Sequence, residues 1–433
     1  MNAPAQPHTA SPPVAVATGG RTIRDVIAAP GLGAFFFDDQ AAIKAGATRD
    51  GAAYTGTALT DGYRAVREPS ESVSVMLVLD DGYVAHGDCA SVQYSGVGGR
   101  EPRMQARAMV EAIESELAPA LRGLDVSSFR TAAVRAEQLI AEVPGLGRAT
   151  AYGLSQALLD AAAHAAGHHL MARVIQDEWQ LTAPLAAVPV YGQSGEDRCD
   201  NVDKMILKTA DVIPHGLINT AELVGPGGRE LETYISWITR RIEALRPRSD
   251  YAPALHLDVY GLLGAAAESL EDLADIIIRL EAAAAPYPLR IEHPLDAGGR
   301  DAQIDQLGAL RKLLAERGSM VRLIADEWAN TAEDIHAFAA AGAADMVQIK
   351  TPDLGSLHRT VDAILDCKQH GVGPVLGGTC AETDRSARTC VHIGIATGVV
   401  QMLAKPGMGF DEGYAIVRNE MHRALRLDAA LPA

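Results

Sequence analysis

From about Leu185 to the C-terminus, short apolar runs alternate with amphipathic segments, and no other feature constrains the fold as much. The runs are Ala187–Gly192, Val212–Ile218, Leu255–Tyr260, Leu289–Glu292, Val321–Ala325, Met346–Ile349, Val375–Leu376 and Val399–Leu403. Between them, segments such as Glu230–Arg246 place Leu231, Tyr234, Ile235, Ile238, Ile242 and Leu245 on one helical face. Ser269 precedes the apolar set Leu270, Leu273, Ile277 and Leu280, with Asp272 three residues on, the spacing of a capping box. Eight strand-like runs separated by helices indicate parallel βα units, and in about 250 residues these close most naturally into a (β/α)8-type barrel. An open doubly wound sheet is the alternative; no GxGxxG follows the first run, which counts against it.

The pattern before Leu185 is different. Val73–Leu79, then Asp80-Asp81-Gly82, then Tyr83–Gly87 reads as a hairpin, and Phe35-Phe36-Phe37 could supply a third strand. Ala-rich segments of helical periodicity follow over Met104–Leu121, Ser128–Glu142 and Tyr152–Asp177. Strands first and helices after suggest an α+β domain. Residues 1–20, rich in Ala, Pro, Ser and Thr, read as a disordered tail. The expected division is a tail over 1–20, an α+β capping domain over 21–183 and a catalytic barrel over 184–433.

Charge and cysteine usage exclude whole classes of partner. With 38 basic and 55 acidic residues the chain carries a net charge of −17, which argues against nucleic acid, because phosphate binding needs clustered Lys and Arg. No apolar run approaches the roughly 18–20 residues that span a bilayer. Residues 1–20 hold no Lys or Arg and are interrupted by Pro, so they fit neither a signal nor a transit peptide, and a cytoplasmic location is expected. The 5 cysteines are spread out and form no CxxC, so no disulfide framework is expected and most read as reduced, buried, small apolar side chains.

In a barrel, the active site gathers at the C-terminal ends of the strands. The polar residues that close the runs are Gln193, His215, Asp258, Glu292, Asp326, Lys350 and the Thr379-Cys380 pair. Asp258, Glu292 and Asp326 end three consecutive runs at a constant spacing of one βα unit (292 − 258 = 326 − 292 = 34). Three converging anions repel one another unless a cation sits between them, and hard carboxylate oxygens without His or Cys in the set favour Mg²⁺ over Zn²⁺. The bland alternative has each acid capping the next helix or pairing with a local base. Lys350 closes a run in which Gln348, two residues back, points the same way. Beside a divalent cation in a closed pocket, Lys350 should have a lowered pKa and can act as a general base; pairing with one of the metal acids is the alternative. His215 falls almost opposite Lys350 in an eight-stranded ring, so two bases could reach both faces of one carbon. A lone His is more often structural, but its register with the acids favours chemistry.

Other motifs are weaker. Gly96-Val97-Gly98-Gly99-Arg100 only loosely resembles a phosphate loop and lacks a GK[ST] ending, so a mobile lid is the better reading. His164 and His168 are spaced i, i+4, with His169 beside them, but no further ligand completes a metal motif, and they read as structural. Cys380 has no His or acid beside it in sequence, and its backbone N–H counts for more than its thiol.

Several long runs carry a family resemblance: YGQSGEDRCDNVDKMILK (191–208), DVIPHGLIN (211–219), YAPALHLDVYG (251–261), ADEWANT (325–331), MVQIKTPDLG (346–355), GGTCAET (377–383) and LAKPGMG (403–409), with GDCASVQYSGVGGREP (87–102) ahead of the barrel. On these the chain resembles the enolase superfamily and, within it, the methylaspartate ammonia-lyase family. The KxK pair that racemase and cycloisomerase relatives carry at the second strand end is replaced here by Pro214-His215-Gly216.

The resemblance implies an enolase-like fold, an α+β capping domain on a modified (β/α)8 barrel. It implies reversible elimination of ammonia from (2S,3S)-3-methylaspartate to mesaconate, through loss of the C3 proton and an enediolate. Asp258, Glu292 and Asp326 match the Mg²⁺ ligands, Lys350 the base at C3, and His215 the residue on the opposite face. Gln193, His215, Gln348, Thr379 and Cys380 match substrate-contacting positions, and Gln93, Leu403 and Met408 the lining on the methyl and amine side. K⁺ as a monovalent activator and a homodimer are implied as well. Val375 stands where relatives carry Tyr, so a different pocket shape is expected. Another carboxylate-active reaction of the superfamily (racemase, cycloisomerase or dehydratase) is the alternative.

Overall fold

The structure, a computed structural model, describes residues 20–97 and 100–431. The expected disordered tail lies, apart from Gly20, outside the described residues.

The N-terminal region is built on strands β1 (Ile23–Asp38), β2 (Thr48–Asp50), β3 (Ala53–Thr55), β4 (Arg67–Leu79) and β5 (Val84–Cys89). β4 and β5 form the expected hairpin, whose turn is tied by Asp81 Oδ1 accepting the Tyr83 N–H at 2.9 Å, with Gly82 at φ 92°. Phe35-Phe36-Phe37 does lie in the third strand of this antiparallel sheet, ordered β1-β4-β5, but at the end of a 16-residue strand. That strand runs through Pro30 and Gly31, and its register with β4 shifts between Leu32 and Phe36. The small hairpin β2-β3 stands apart.

Helices cover the sheet. Helix Arg148–Ala166 is buried on nearly every face, because it meets β5 backbone to backbone. A Cβ on Gly153 would lie 2.4 Å from the Cys89 nitrogen, and one on Gly87 would lie 2.0 Å from the Gly153 carbonyl oxygen. The single helical segment expected over Tyr152–Asp177 is two helices, Arg148–Ala166 and Met171–Trp179. Gly167, at φ 72°, ends the first in the left-handed conformation that glycine adopts without strain. Within Met104–Leu121 a π-helical turn, Ile113–Leu117, interrupts the helix, a change that hydrophobic periodicity does not register.

Eight strands follow: β6 (Val190–Gly192), β7 (Val212–His215), β8 (Ala254–Asp258), β9 (Leu289–Glu292), β10 (Arg322–Ala325), β11 (Met346–Ile349), β12 (Gly373–Leu376) and β13 (Gln401–Ala404). They pair in parallel, in chain order, and close from β13 back onto β6. Side chains alternate between the two faces of a strand. Leu255 and Leu257 therefore face the helices, while His256 and Asp258 face the barrel axis, and the same parity turns Glu292 and Gln348 inward. Tyr191, Val212, Ile324, Met346, Val375 and Leu403 form a separate buried cluster inside the ring. Val375 belongs to this packed layer and is paired in register with Gln348 on the neighbouring strand.

Ser269 caps its helix by accepting the Asp272 N–H at 3.1 Å, but the Asp272 carboxylate accepts from the Glu268 N–H, so the expected box is only half formed.

Candidate active site

β11 and β7 lie four strands apart in the ring of eight, which sets Lys350 and His215 on opposite sides of the mouth. All the residues assigned to the active site from the sequence line one small cavity there, about 50 Å³ in volume. They are the acids Asp258, Glu292 and Asp326, then Lys350 and His215, the amides Gln93, Gln193 and Gln348, and Thr379, Cys380, Leu403 and Met408. Backbone strain gathers at the same rim. His215, Tyr260, His293 and Trp328, near the ends of four successive strands, all have positive φ (58°, 50°, 49° and 72°), a conformation costly for residues other than glycine.

The three acids are buried, with ligand oxygens within 4.8 Å of one another. Burial, reinforced by the charges of Glu292 and Asp326, raises Asp258 well above the usual carboxylate range. Burial likewise pushes Asp326 up to about 8, with Glu327 and Glu292 adding to it against the pull of Lys350. A site whose acids resist ionising together fits a hard divalent cation, which would supply the missing positive charge.

Glu292 is anchored from below. His256 Nε2 lies 2.7 Å and His215 Nε2 3.3 Å from Glu292 Oε2, and Gln348 Nε2 donates to both carboxylate oxygens. Burial would raise Glu292, but His215 and His256 outweigh it and hold the carboxyl well below its ordinary value. Arg290 donates to Gln401 Oε1, which turns the Gln401 amide toward His256 Nδ1 at 2.8 Å and leaves Nε2 carrying the hydrogen. Burial lowers His256 to about 4, so it is neutral at pH 7. The Tyr191 hydroxyl fixes Gln348 in the same manner, donating to Oε1 at 3.0 Å. The three acids form a set without histidine, as expected, but two imidazoles stand behind it on Glu292; His256 is there because the parity that turns Asp258 inward also turns His256 inward.

Lys350 Nζ donates to Asp326 Oδ2 at 2.8 Å and lies 3.9 Å from Glu327. Burial works to lower its pKa, but these two carboxylates outweigh burial and raise it. Paired in this way with Asp326, Lys350 is held toward its protonated form; the lowered pKa expected of it is conditional on a divalent cation beside it. Arg100 donates to Glu327 at 2.7 Å and to Asp353 at 3.0 Å. Gly98 and Gly99 of the expected lid lie outside the described residues. Arg100 itself is spent on carboxylates, which removes it from any phosphate-binding role.

The capping region closes the other side. Gln93 donates from Nε2 to Asp38 at 2.6 Å and from its backbone to Thr379 Oγ1 at 3.2 Å, and it accepts from Cys380 Sγ at 3.2 Å. Burial pushes the Cys380 thiol far up, which argues against a nucleophile. Gln193 Oε1 and His215 Nδ1 are buried with no partner, and such atoms in a cavity wall call for a ligand. His164 and His168 turn to separate carboxylates, Asp81 and Asp177, as structural histidines do.

The family description "Methylaspartate ammonia-lyase N-terminus" matches residues 21–180, and "Methylaspartate ammonia-lyase C-terminus" matches residues 182–430. The chain belongs to the methylaspartate ammonia-lyase family. A methylaspartate ammonia-lyase from Clostridium tetanomorphum is 50% identical over 407 residues, covering 94% of this chain and 98% of the relative. A solved β-methylaspartase structure from the same organism, a Mg complex, is similar at a TM-score of 0.90, covering 94% of this chain and 99% of that one. The Citrobacter amalonaticus methylaspartate ammonia-lyase containing (2S,3S)-3-methylaspartic acid is similar at a TM-score of 0.91 and 48% identity, with the same coverage. A muconate lactonizing enzyme from Pseudomonas fluorescens, at 17% identity and a TM-score of 0.58 over 87% of this chain and 85% of that one, shares the enolase-like fold.

Sequence reasoning missed several residues that shape this methylaspartate ammonia-lyase-type site. Arg100, Glu327, Tyr94, Tyr191 and Tyr260 also line the cavity, and Lys405 follows the eighth strand. Glu327 was signalled by the acid doublet Asp326-Glu327, and Lys405 by its place at the one strand end left without a polar residue. Arg100 was noticed only as the end of a glycine-rich stretch, and nothing local marked its ion pairs, whose partners lie more than two hundred residues away in the chain.

Proposed function

We propose that this chain carries out the Mg²⁺-dependent, reversible elimination of ammonia from (2S,3S)-3-methylaspartate to mesaconate. The observation that carries the reading is the buried trio Asp258, Glu292 and Asp326, flanked by Lys350 and His215, in a chain 50% identical to a methylaspartate ammonia-lyase.

The proton at C3 is α to a carboxylate and only weakly acidic. Asp258, Glu292 and Asp326 would hold Mg²⁺, which supplies Lewis-acid stabilisation of the charge that builds on that carboxylate. Lys350 takes the C3 proton at Nζ, and the C2–N bond breaks as the C2–C3 double bond forms. For this step Lys350 must be the neutral amine, its proton lost to solvent before substrate is bound, and it ends the step as the ammonium. His215, across the ring, serves the opposite face and the other C3 epimer. Gln348 and His215 donate to the ionising carboxylate, Thr379 and the Cys380 backbone N–H hold the second one, and Gln193 contacts the substrate through its unpaired Oε1. Gln93, Leu403 and Met408 shape the methyl and amine side. A general base contributes about 10²–10⁴-fold, so electrostatic stabilisation must provide much of the rest.

Residues 21–183 as capping domain and 184–433 as catalytic barrel, K⁺ as activator, a homodimer and a cytoplasmic location complete the proposal. Family membership supports them, and among the described residues no helix is long and apolar enough to cross a membrane. The test is the ultraviolet absorbance of mesaconate after (2S,3S)-3-methylaspartate is added with Mg²⁺. Absorbance should rise, stop on addition of EDTA and resume with excess Mg²⁺; turnover of other carboxylates but not this one rejects the reading.

A further inference from the structure

A second charged pair lies behind the cavity wall. Lys405 and Glu382 are 1% and 0% exposed, 2.9 Å apart. Lys405 Nζ spends its three hydrogens on Glu382 Oε1 at 2.9 Å, the Gly377 carbonyl at 3.0 Å and Thr351 Oγ1 at 3.1 Å. Glu382 Oε1 also accepts the Thr379 N–H at 2.9 Å. The pair therefore grips both ends of the Gly377–Thr379 turn, one through a carbonyl and the other through an N–H. Gly378 lies between them, where a Cβ would sit 2.3 Å from both Glu382 Oε1 and Lys405 Nζ.

The same pair reaches the capping region. Glu382 Oε2 accepts the Tyr152 hydroxyl at 2.5 Å, and the Glu382 carbonyl accepts the Ala34 N–H at 3.1 Å. Burying two charges costs several kcal/mol each, and an apolar pair of similar volume is often as stable. What apolar residues could not supply here is fixed direction: four polar groups from two regions of the chain, the Gly377 carbonyl, the Thr351 hydroxyl, the Thr379 N–H and the Tyr152 hydroxyl, are all referred to one ammonium and one carboxylate.

We propose that Lys405 and Glu382 are positioning residues that hold the Gly377–Cys380 turn in register with the cavity, and so set affinity for the distal carboxylate of the substrate. The inference rests on the reading of Thr379 and Cys380 as holders of that carboxylate. Neither residue of the pair touches the cavity; each acts through the turn.

The test compares Lys405→Met, Glu382→Gln and the double variant with the unaltered enzyme in steady-state kinetics on (2S,3S)-3-methylaspartate. KM should rise about 10²-fold, with a smaller fall in kcat and an unchanged Mg²⁺ activation constant. A lowered melting temperature with KM unchanged would assign the pair a purely structural role and overturn the proposal. Either single variant leaves a buried charge unpaired and is at risk of not folding; the double variant removes both charges. Tyr152→Phe keeps both charges and removes one hydroxyl, and should raise KM in the same direction. An unchanged KM in whichever variants fold overturns the proposal. Absence of turnover by the unaltered enzyme would instead sink the underlying functional reading.

Discussion

Lys350 Nζ donates to Asp326 Oδ2 across 2.8 Å, so the candidate base and a candidate metal ligand are hydrogen-bonded partners at the barrel mouth. The pair ties the base to one of the three acids that would hold Mg²⁺. It also separates two functions that side-chain replacement can test one at a time.

Lys350→Ala should reduce turnover of the (2S,3S) substrate by about 10²–10⁴-fold or more, while Mg²⁺ still binds through the three acids. Single-turnover kinetics and calorimetric titration with Mg²⁺ check the two halves. Undiminished turnover would remove Lys350 as the base.

Mg²⁺ should stabilise the fold, because it binds the assembled trio and not the unfolded chain. At a hundredfold excess over its Kd the gain is about 2.7 kcal/mol, visible as a rise in melting temperature that EDTA reverses. An identical melting curve with and without the metal contradicts the trio as its site.

Arg100→Met should destabilise the protein by about 3 kcal/mol, because it strands the buried Asp353 and removes one of the partners of the part-buried Glu327. It should also lower kcat, since Glu327 also faces Lys350. Denaturant unfolding and steady-state kinetics measure the two effects. Full stability in the variant would show that the Arg100 pairs contribute nothing net.

Glu420 provides a pH test remote from the site. Burial would raise its pKa, but His392, Arg423 and Arg388 bring it from 4.5 to about 2. A depressed carboxylate contributes stability that is fully present above the unfolded value and is lost as pH falls through the folded value. From that shift the contribution is at most about 3 kcal/mol. Glu420→Gln should therefore be less stable than the unaltered protein above about pH 5. The gap should close between about pH 4.5 and 2, in melting curves taken across that range. A gap that stays constant with pH would refute the assignment.

Much of the site could be read from the chain because a barrel turns sequence order into spatial order. Each βα unit places one strand end on the same rim, so the spacing from Asp258 to Glu292 to Asp326 already implied that the three acids converge. The same regularity put His215 opposite Lys350, and the long family-like runs implied the chemistry. The hairpin turn at Asp80-Asp81-Gly82 was equally legible, because turn geometry is local.

What only the tertiary structure decided were contacts between groups far apart in the chain. His256 beneath Glu292, Arg100 on Glu327, and Lys405 with Glu382 beneath Tyr152 have no local signature, since each charge is compensated from another element. Lys350 shows the limit most directly. Sequence placed it beside the acids, but whether it holds or releases a proton depends on a 2.8 Å contact and on burial, and both arise only when the strands close into a ring.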